Sequence, residues 1–161
     1  MPVNRLRKFL DENDVKYVTM RHSPAYTAQE VAASAHIPGK ELAKTVMVKL
    51  DGKLAMAVLP ASRAVDFDML EKASGATEAS LAEEDEFRDL FGNCDTGAMP
   101  PFGNLYNFPV FSDPHLAEDE EIAFSAGSHA EVVRMPYADF ERLVQPKVAP
   151  FATPTPSDQN P

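Results

Sequence analysis

The dipeptide Asp51-Gly52 constrains this chain more than any other feature. It stands between two largely apolar runs, residues 44–50 and 53–59. Asp-Gly in that setting is the strongest short-range signal for a two-residue hairpin, because both turn positions need a positive φ. The two runs must therefore pair antiparallel, in a register that the turn sets. Within the second run LAMAVL, at 54–59, is apolar at every position. A strand of that kind is buried on both faces and belongs in the middle of a sheet.

The remaining elements gather around this hairpin. Leu6, Phe9 and Leu10 have helical spacing, and residues 16–20 read as extended. TAQE at 27–30 is a capping-box pattern opening a helix through Val31 and Ala35, which Pro38-Gly39 stops. Asp66 caps a helix through Met69 and Leu70, closed by Gly75. A further helix turns Phe87, Leu90 and Phe91 inward and ends at Gly92. After a Gly/Pro-rich loop come short strands near Val110 and at 122–126, a last strand at 130–134, and a helix at 137–144. Strands and helices are mixed, which predicts an α+β domain built on a mixed sheet. The final sixteen residues, PKVAPFATPTPSDQNP, hold five of the fourteen prolines and show no apolar period. The expected organisation is a folded domain over 1–145 and a Pro-rich disordered tail over 146–161.

Charge narrows the function classes. The net charge of −10 opposes non-specific binding to a phosphate backbone. The excess is local, however: residues 83–121 hold eleven acids and one base, while residues 1–53 hold nine bases and six acids. The acids at 83–86 suit the first turn of a helix, where carboxylates complement the dipole, and those at 118–121 a solvated loop. A single cysteine, Cys94, excludes an internal disulfide framework and a Cys-cluster metal site. His22, His36, His115 and His129 lack metal-ligand spacing, so no metal is expected. No apolar run reaches the length of a membrane span, and the first fifteen residues lack a signal-peptide core. The expectation is a soluble, cytoplasmic protein.

Three sites depart from an ordinary structural reading. Lys44 shares a strand face with Val46, Val48 and Leu50, so it either snorkels from a frayed strand end or points into a pocket. GAMPPFG at 97–103 sets two prolines between two glycines. It is either a plain tight turn or a stiff loop presenting main-chain N–H groups to a carbonyl or oxyanion. Gly127-Ser128-His129 offers a hydroxyl and an imidazole between two strands. It is either a simple turn or a group that orients water or a ribose hydroxyl. No Gly-x-Ser-x-Gly, P-loop or dinucleotide fingerprint is present.

Taken in order and spacing, HSPAYTAQEVA at 22–32, ELAKTVMVK at 41–49, GAMPPFG at 97–103 and AGSHAEVVRMPYADFERLV at 126–144 resemble the YbaK/prolyl-tRNA synthetase-associated editing domain family, the free-standing aminoacyl-tRNA deacylases. The resemblance implies a mixed, mostly antiparallel sheet, or partial barrel, surrounded by helices. It implies hydrolysis of the ester joining a wrong amino acid to the terminal adenosine of a tRNA, without a cofactor. On it, Lys44, Gly97, Ser128 and His129 form the catalytic set. His22, Thr27, Met99, Pro100, Pro101, Phe102, Gly103 and Gly127 bind the substrate, with Met99, Pro100 and Phe102 as pocket walls. The implied partners are the 3′ end of an aminoacyl-tRNA and an aminoacyl-tRNA synthetase, with no membrane and no DNA. Because a rigid pocket discriminates mainly by size, a small side chain is expected, alanine on proline tRNA first. Two other readings stand beside this one: a non-catalytic tRNA- or synthetase-binding module of the same fold, and a hydrolase of another small ester or amide.

Overall fold

The computed structural model describes residues 2–21, 41–91, 98–128 and 130–154. Helix α1 (Pro2–Glu12) buries Leu6 and Leu10, one turn apart on a single face. Strand β1 (Val18–Arg21) follows, somewhat later than the extended stretch expected at 16–20. The helix expected from Thr27 lies outside the described residues.

The hairpin forms as its turn dictates. Strands β2 (Leu42–Leu50) and β3 (Lys53–Pro60) pair antiparallel from Leu50↔Lys53 to Ala43↔Pro60. Asp51 and Gly52 both take positive φ, 51° and 83°. The aspartate also acts beyond the turn, because its carboxylate accepts hydrogen bonds from the N–H groups of Thr77 (3.1 Å) and Glu78 (2.9 Å). The turn is thereby pinned to the segment that leads into β5 (Ala79–Leu81).

Between the hairpin and β5, strand β4 (Arg63–Val65) precedes helix α2 (Phe67–Ser74). The carboxylate of Asp66 accepts from the Met69 N–H, and Gly75 closes the helix at φ 80°. Helix α3 (Glu84–Phe87) is a single turn that continues as a 3₁₀ turn, Arg88–Phe91. Phe87 and Phe91 are buried edge to face, but Leu90 is 52% exposed rather than inward. The two phenylalanines, four residues apart, take the whole inward face, and Phe91 packs on Tyr106 and Phe108. The acids of this region are partly paired. Glu86 accepts from the Glu83 N–H and from Lys49 Nζ, each at 2.8 Å. The lysine, first, and the Glu83 amide hold the Glu86 carboxyl below the usual carboxylate range.

Strands β6 (Val110–Ser112), β7 (Glu121–Ser125) and β8 (Glu131–Pro136) and helix α4 (Tyr137–Val144) complete the expected elements. Two more strands occur where a disordered tail was expected. Strand β9 (Lys147–Val148) pairs with β6, and β10 (Ala152–Pro154) pairs with β4. Phe151 between them is fully buried, and its carbonyl accepts from the Asp66 N–H. A two- or three-residue strand anchored by one aromatic needs no apolar period, so proline content misjudges this segment. The folded unit therefore runs past 145.

The main sheet has the order β1-β8-β7-β2-β3-β6-β9, with β5 also on β2, and β4 and β10 form a separate pair. Antiparallel pairing dominates, since each of the three parallel contacts spans only two or three residues. The fold is thus α+β on a mixed, mostly antiparallel sheet, as expected. Strand β3 shows why LAMAVL is apolar throughout. Met56 and Val58 face a first core with Leu6, Leu10, Phe102, Phe124 and Phe140. Ala55, Ala57 and Leu59 face a second core with Leu70, Phe111 and Phe151. No helix among the described residues is long and apolar enough to cross a membrane.

Candidate functional site

Strand β2 carries the site because its two edges differ. Along one edge it pairs with β3 over residues 43–50. Along the other it pairs with β7 only at Leu42 and Ala43, and with β5 only at Val48–Leu50. Among the described residues no strand pairs with 44–46 on that edge, which leaves a notch between the β7 and β5 contacts. Lys44 stands at the start of this notch, half-buried, one residue beyond the Ala43↔Phe124 pair. It lies within the strand, opposite Leu59, and not at a frayed end.

Strand β7 runs past the notch into residues 126–128. Ala126 N–H donates to the Glu131 carbonyl, closing the hairpin with β8. Gly127 has φ 100°, a conformation that favours glycine, and its N–H donates to the Ala98 carbonyl at 2.8 Å. Ser128 Oγ accepts from the Ala130 N–H at 3.3 Å, a local turn bond. The start of β2, the end of β7 and the loop at 98–103 thus converge, although fifty or more residues separate Lys44 from Ala98 in the chain.

Within the loop, residues 98–103 are all buried. Phe102 packs its ring against Phe9 (6.0 Å), Phe124 (5.5 Å) and Phe140 (5.8 Å), so it anchors the loop in the first core. Met99 belongs to the same core. Gly103 is required by close packing: a Cβ there would lie 2.6 Å from the Phe108 carbonyl oxygen and from Val110 Cγ2. The loop is therefore held rigidly from beneath, with Ala98 at the end nearest Gly127. Of the other expected site residues, His22, Thr27, Gly97 and His129 lie outside the described residues.

One group at the notch carries no signal in a motif. Thr45, adjacent to Lys44, has a buried Oγ1 with no hydrogen-bond partner. A hydroxyl on the Met47 face of a core strand was the only hint of it in the sequence.

Away from the notch, a polar cleft of about 400 Å³ is lined by Pro60, Ser62, Arg63, His115, Glu118 and Asp119. At its edge the buried carboxylate of Asp113 meets His115 Nδ1 at 2.7 Å. No group of three His, Cys, Asp or Glu side chains among the described residues is placed to hold a metal.

Residues 22–143 match the family described as the aminoacyl-tRNA editing domain. The multifunctional Ser/Thr-tRNA deacylase ProXp-y of Escherichia coli (strain K12) is 30% identical over 152 residues, covering 91% of this chain and 90% of that protein. The prolyl-tRNA editing protein ProX of Acetoanaerobium sticklandii is 25% identical, over 84% of this chain and 86% of its own. Among solved structures, one provisionally assigned as a trans-editing enzyme for prolyl-tRNA synthetase superposes with a TM-score of 0.78 at 19% identity, covering 94% of this chain and 97% of that one.

Proposed function

This chain belongs to the aminoacyl-tRNA editing domain family, and on that premise we propose that it is a free-standing deacylase acting on tRNAs that carry a wrong, small amino acid. The observation that supports the reading is that main-chain pairing joins Ala43, next to Lys44, to the end of β7, and Gly127 beyond it to the buried 98–103 loop at Ala98. Lys44 engages the phosphate or hydroxyl groups of the tRNA 3′ end and sets the ester in the notch. A water attacks the ester carbonyl, the bond to the ribose oxygen breaks, and that oxygen leaves with a proton. The products are a free amino acid and an uncharged tRNA. Positioning and main-chain donors carry most of the acceleration in such a scheme, and no side-chain nucleophile is needed. A role for His129 in orienting the water or the free ribose hydroxyl, and for His22, Thr27 and Gly97 around the substrate, belongs to the same proposal.

Size sets the substrate class. A pocket walled by a proline-stiffened loop separates side chains by about 1–3 kcal/mol per methylene, enough to admit a small residue and exclude a larger one. On size alone, alanine on proline tRNA is the first substrate to test. Serine and threonine come next, since the E. coli relative is named for them.

The reading is tested with a panel of alanyl-, cysteinyl-, seryl- and threonyl-tRNAs followed for ester loss, with Lys44→Ala as control. Loss at least one hundred times faster with the wild-type protein than with K44A is expected. No loss above the control on any of the four overturns the reading. Association with tRNA or a synthetase that survives K44A, without ester loss, identifies a binding module instead.

A further inference from the structure

The polar cleft away from the notch holds charges that do not pair with one another. It opens at the end of β3, where Pro60 pairs with Ala43, so it lies on the β3 side of the hairpin and the notch on the β2 side. Another part of its wall is the 3₁₀ turn Pro114–Glu118, tied to the sheet through the Asp113 N–H, which donates to the Val58 carbonyl. Arg63, Glu118 and Asp119 all line the cleft, yet none of them enters an ion pair among the described residues. Opposite charges thus face one space of about 400 Å³ without meeting. Arg63 Nη1 donates to the Ala152 carbonyl at 3.4 Å, which steadies the guanidinium while its other N–H groups stay available. His115 is held as well. Asp113 Oδ1 accepts from its main-chain N–H and from its ring Nδ1, both at 2.7 Å. That carboxylate is buried, so it fixes the ring and leaves Nε2 as the remaining polar atom of the imidazole.

We propose that this cleft is a second site, one that binds a free α-amino acid, with the ligand's carboxylate on Arg63 and its ammonium on Glu118 and Asp119. A phosphate or other simple anion meets two carboxylates there, and a simple cation meets the guanidinium. A zwitterion satisfies both signs at once, through charge-assisted bonds on each side. The planar guanidinium suits a carboxylate in particular, because its parallel N–H groups match the two oxygens. His115 Nε2 adds a polar contact whose position Asp113 sets. The space accommodates a small amino acid together with water. Binding stands on the charges of the cleft alone. The deacylase reading enters only as a source of ligand, since a free amino acid is one of its two products. Because Pro60 is paired with Ala43, beside Lys44, an occupied cleft touches the same hairpin that carries the reaction site.

The experiment follows backbone amide NMR signals of the full chain during titration with serine, alanine or proline, without tRNA. Saturable shifts at residues 60–63 and 113–119 are expected, with a Kd of about 1 mM for the tightest, the scale a ligand this small reaches. Serinamide lacks the carboxylate and N-acetylserine lacks the ammonium, so each should bind about tenfold more weakly than serine. A Glu118→Gln/Asp119→Asn double variant should weaken serine by about the same factor, and so should Arg63→Gln. Should Arg63→Gln fail to fold, because Arg63 also holds the Ala152 carbonyl, serinamide makes the same comparison on the wild type. No saturable shift with any of the three amino acids overturns the proposal. Analogues that bind as tightly as serine overturn it too, as do shifts confined to Lys44, 98–103 and 126–128, which put the amino acid in the notch. No ester is present in the titration, so its failure leaves the deacylase reading standing, and failure of the ester panel leaves the cleft assignment standing.

Discussion

Gly103 lacks a side chain because the fold leaves no room for one. The nearest obstacle to a Cβ is a main-chain carbonyl oxygen, which cannot rotate aside as a long side chain would. Gly103→Ala should therefore destabilise the protein by about 1–3 kcal/mol, measured by urea unfolding, as overpacked cores do. A variant as stable as the wild type would show that the loop moves freely. Gly127 has a different need, a positive φ, which lets its amide reach Ala98. The two glycines look alike in the sequence, and only their surroundings separate packing from backbone conformation. Lys44 was visible as a lysine in register with apolar residues, though the sequence left open whether it snorkelled. Thr45 was not singled out, because an unpaired hydroxyl is a statement about neighbours that no residue pattern contains.

Elements were legible wherever local chemistry settles them. Asp-Gly required the β2–β3 hairpin, and the Asp66 cap with the Gly75 stop bounded α2. The 3₁₀ continuation of α3 and the exposure of Leu90 were not legible, since competition among Phe87, Leu90 and Phe91 for one face is decided by what lies opposite. The C-terminal strands were missed for a related reason. Short strands draw their stability from the partner that accepts them, here β6 and β4. Phe151, fully buried in the second core, anchors that attachment. Phe151→Ala should cost about 3–5 kcal/mol, the usual range for a phenylalanine deleted from a core. Thermal unfolding would check this, and a shift indistinguishable from that of a surface substitution would return the segment to the status of a tail.

At the scale of the whole molecule, the net charge of −10 limits how tightly any polyanion can be held. We expect tRNA to approach over the mildly basic N-terminal third, with 83–121 turned away. If the 3′ end makes only two or three phosphate contacts, KM should rise about tenfold between ~50 and ~200 mM salt, following the single-strand slope. A flat salt response, or protection of 83–121 in a footprint, would contradict this arrangement. What the sequence determined by itself was everything set within a few residues: the hairpin, the helix caps, the doubly apolar strand and the location of the acidic excess. Its motifs also named Lys44, the 97–103 loop and Gly127-Ser128-His129 as belonging together, through a family resemblance and not through any contact. Only the tertiary structure decided that the end of β7 pairs beside Lys44 at Ala43 and bonds to the loop at Ala98. Among the described residues, β7 and β5 share one edge of β2 and leave 44–46 between them. That arrangement depends on which strands pair at long range, a property of the assembled sheet that no local window of the chain encodes.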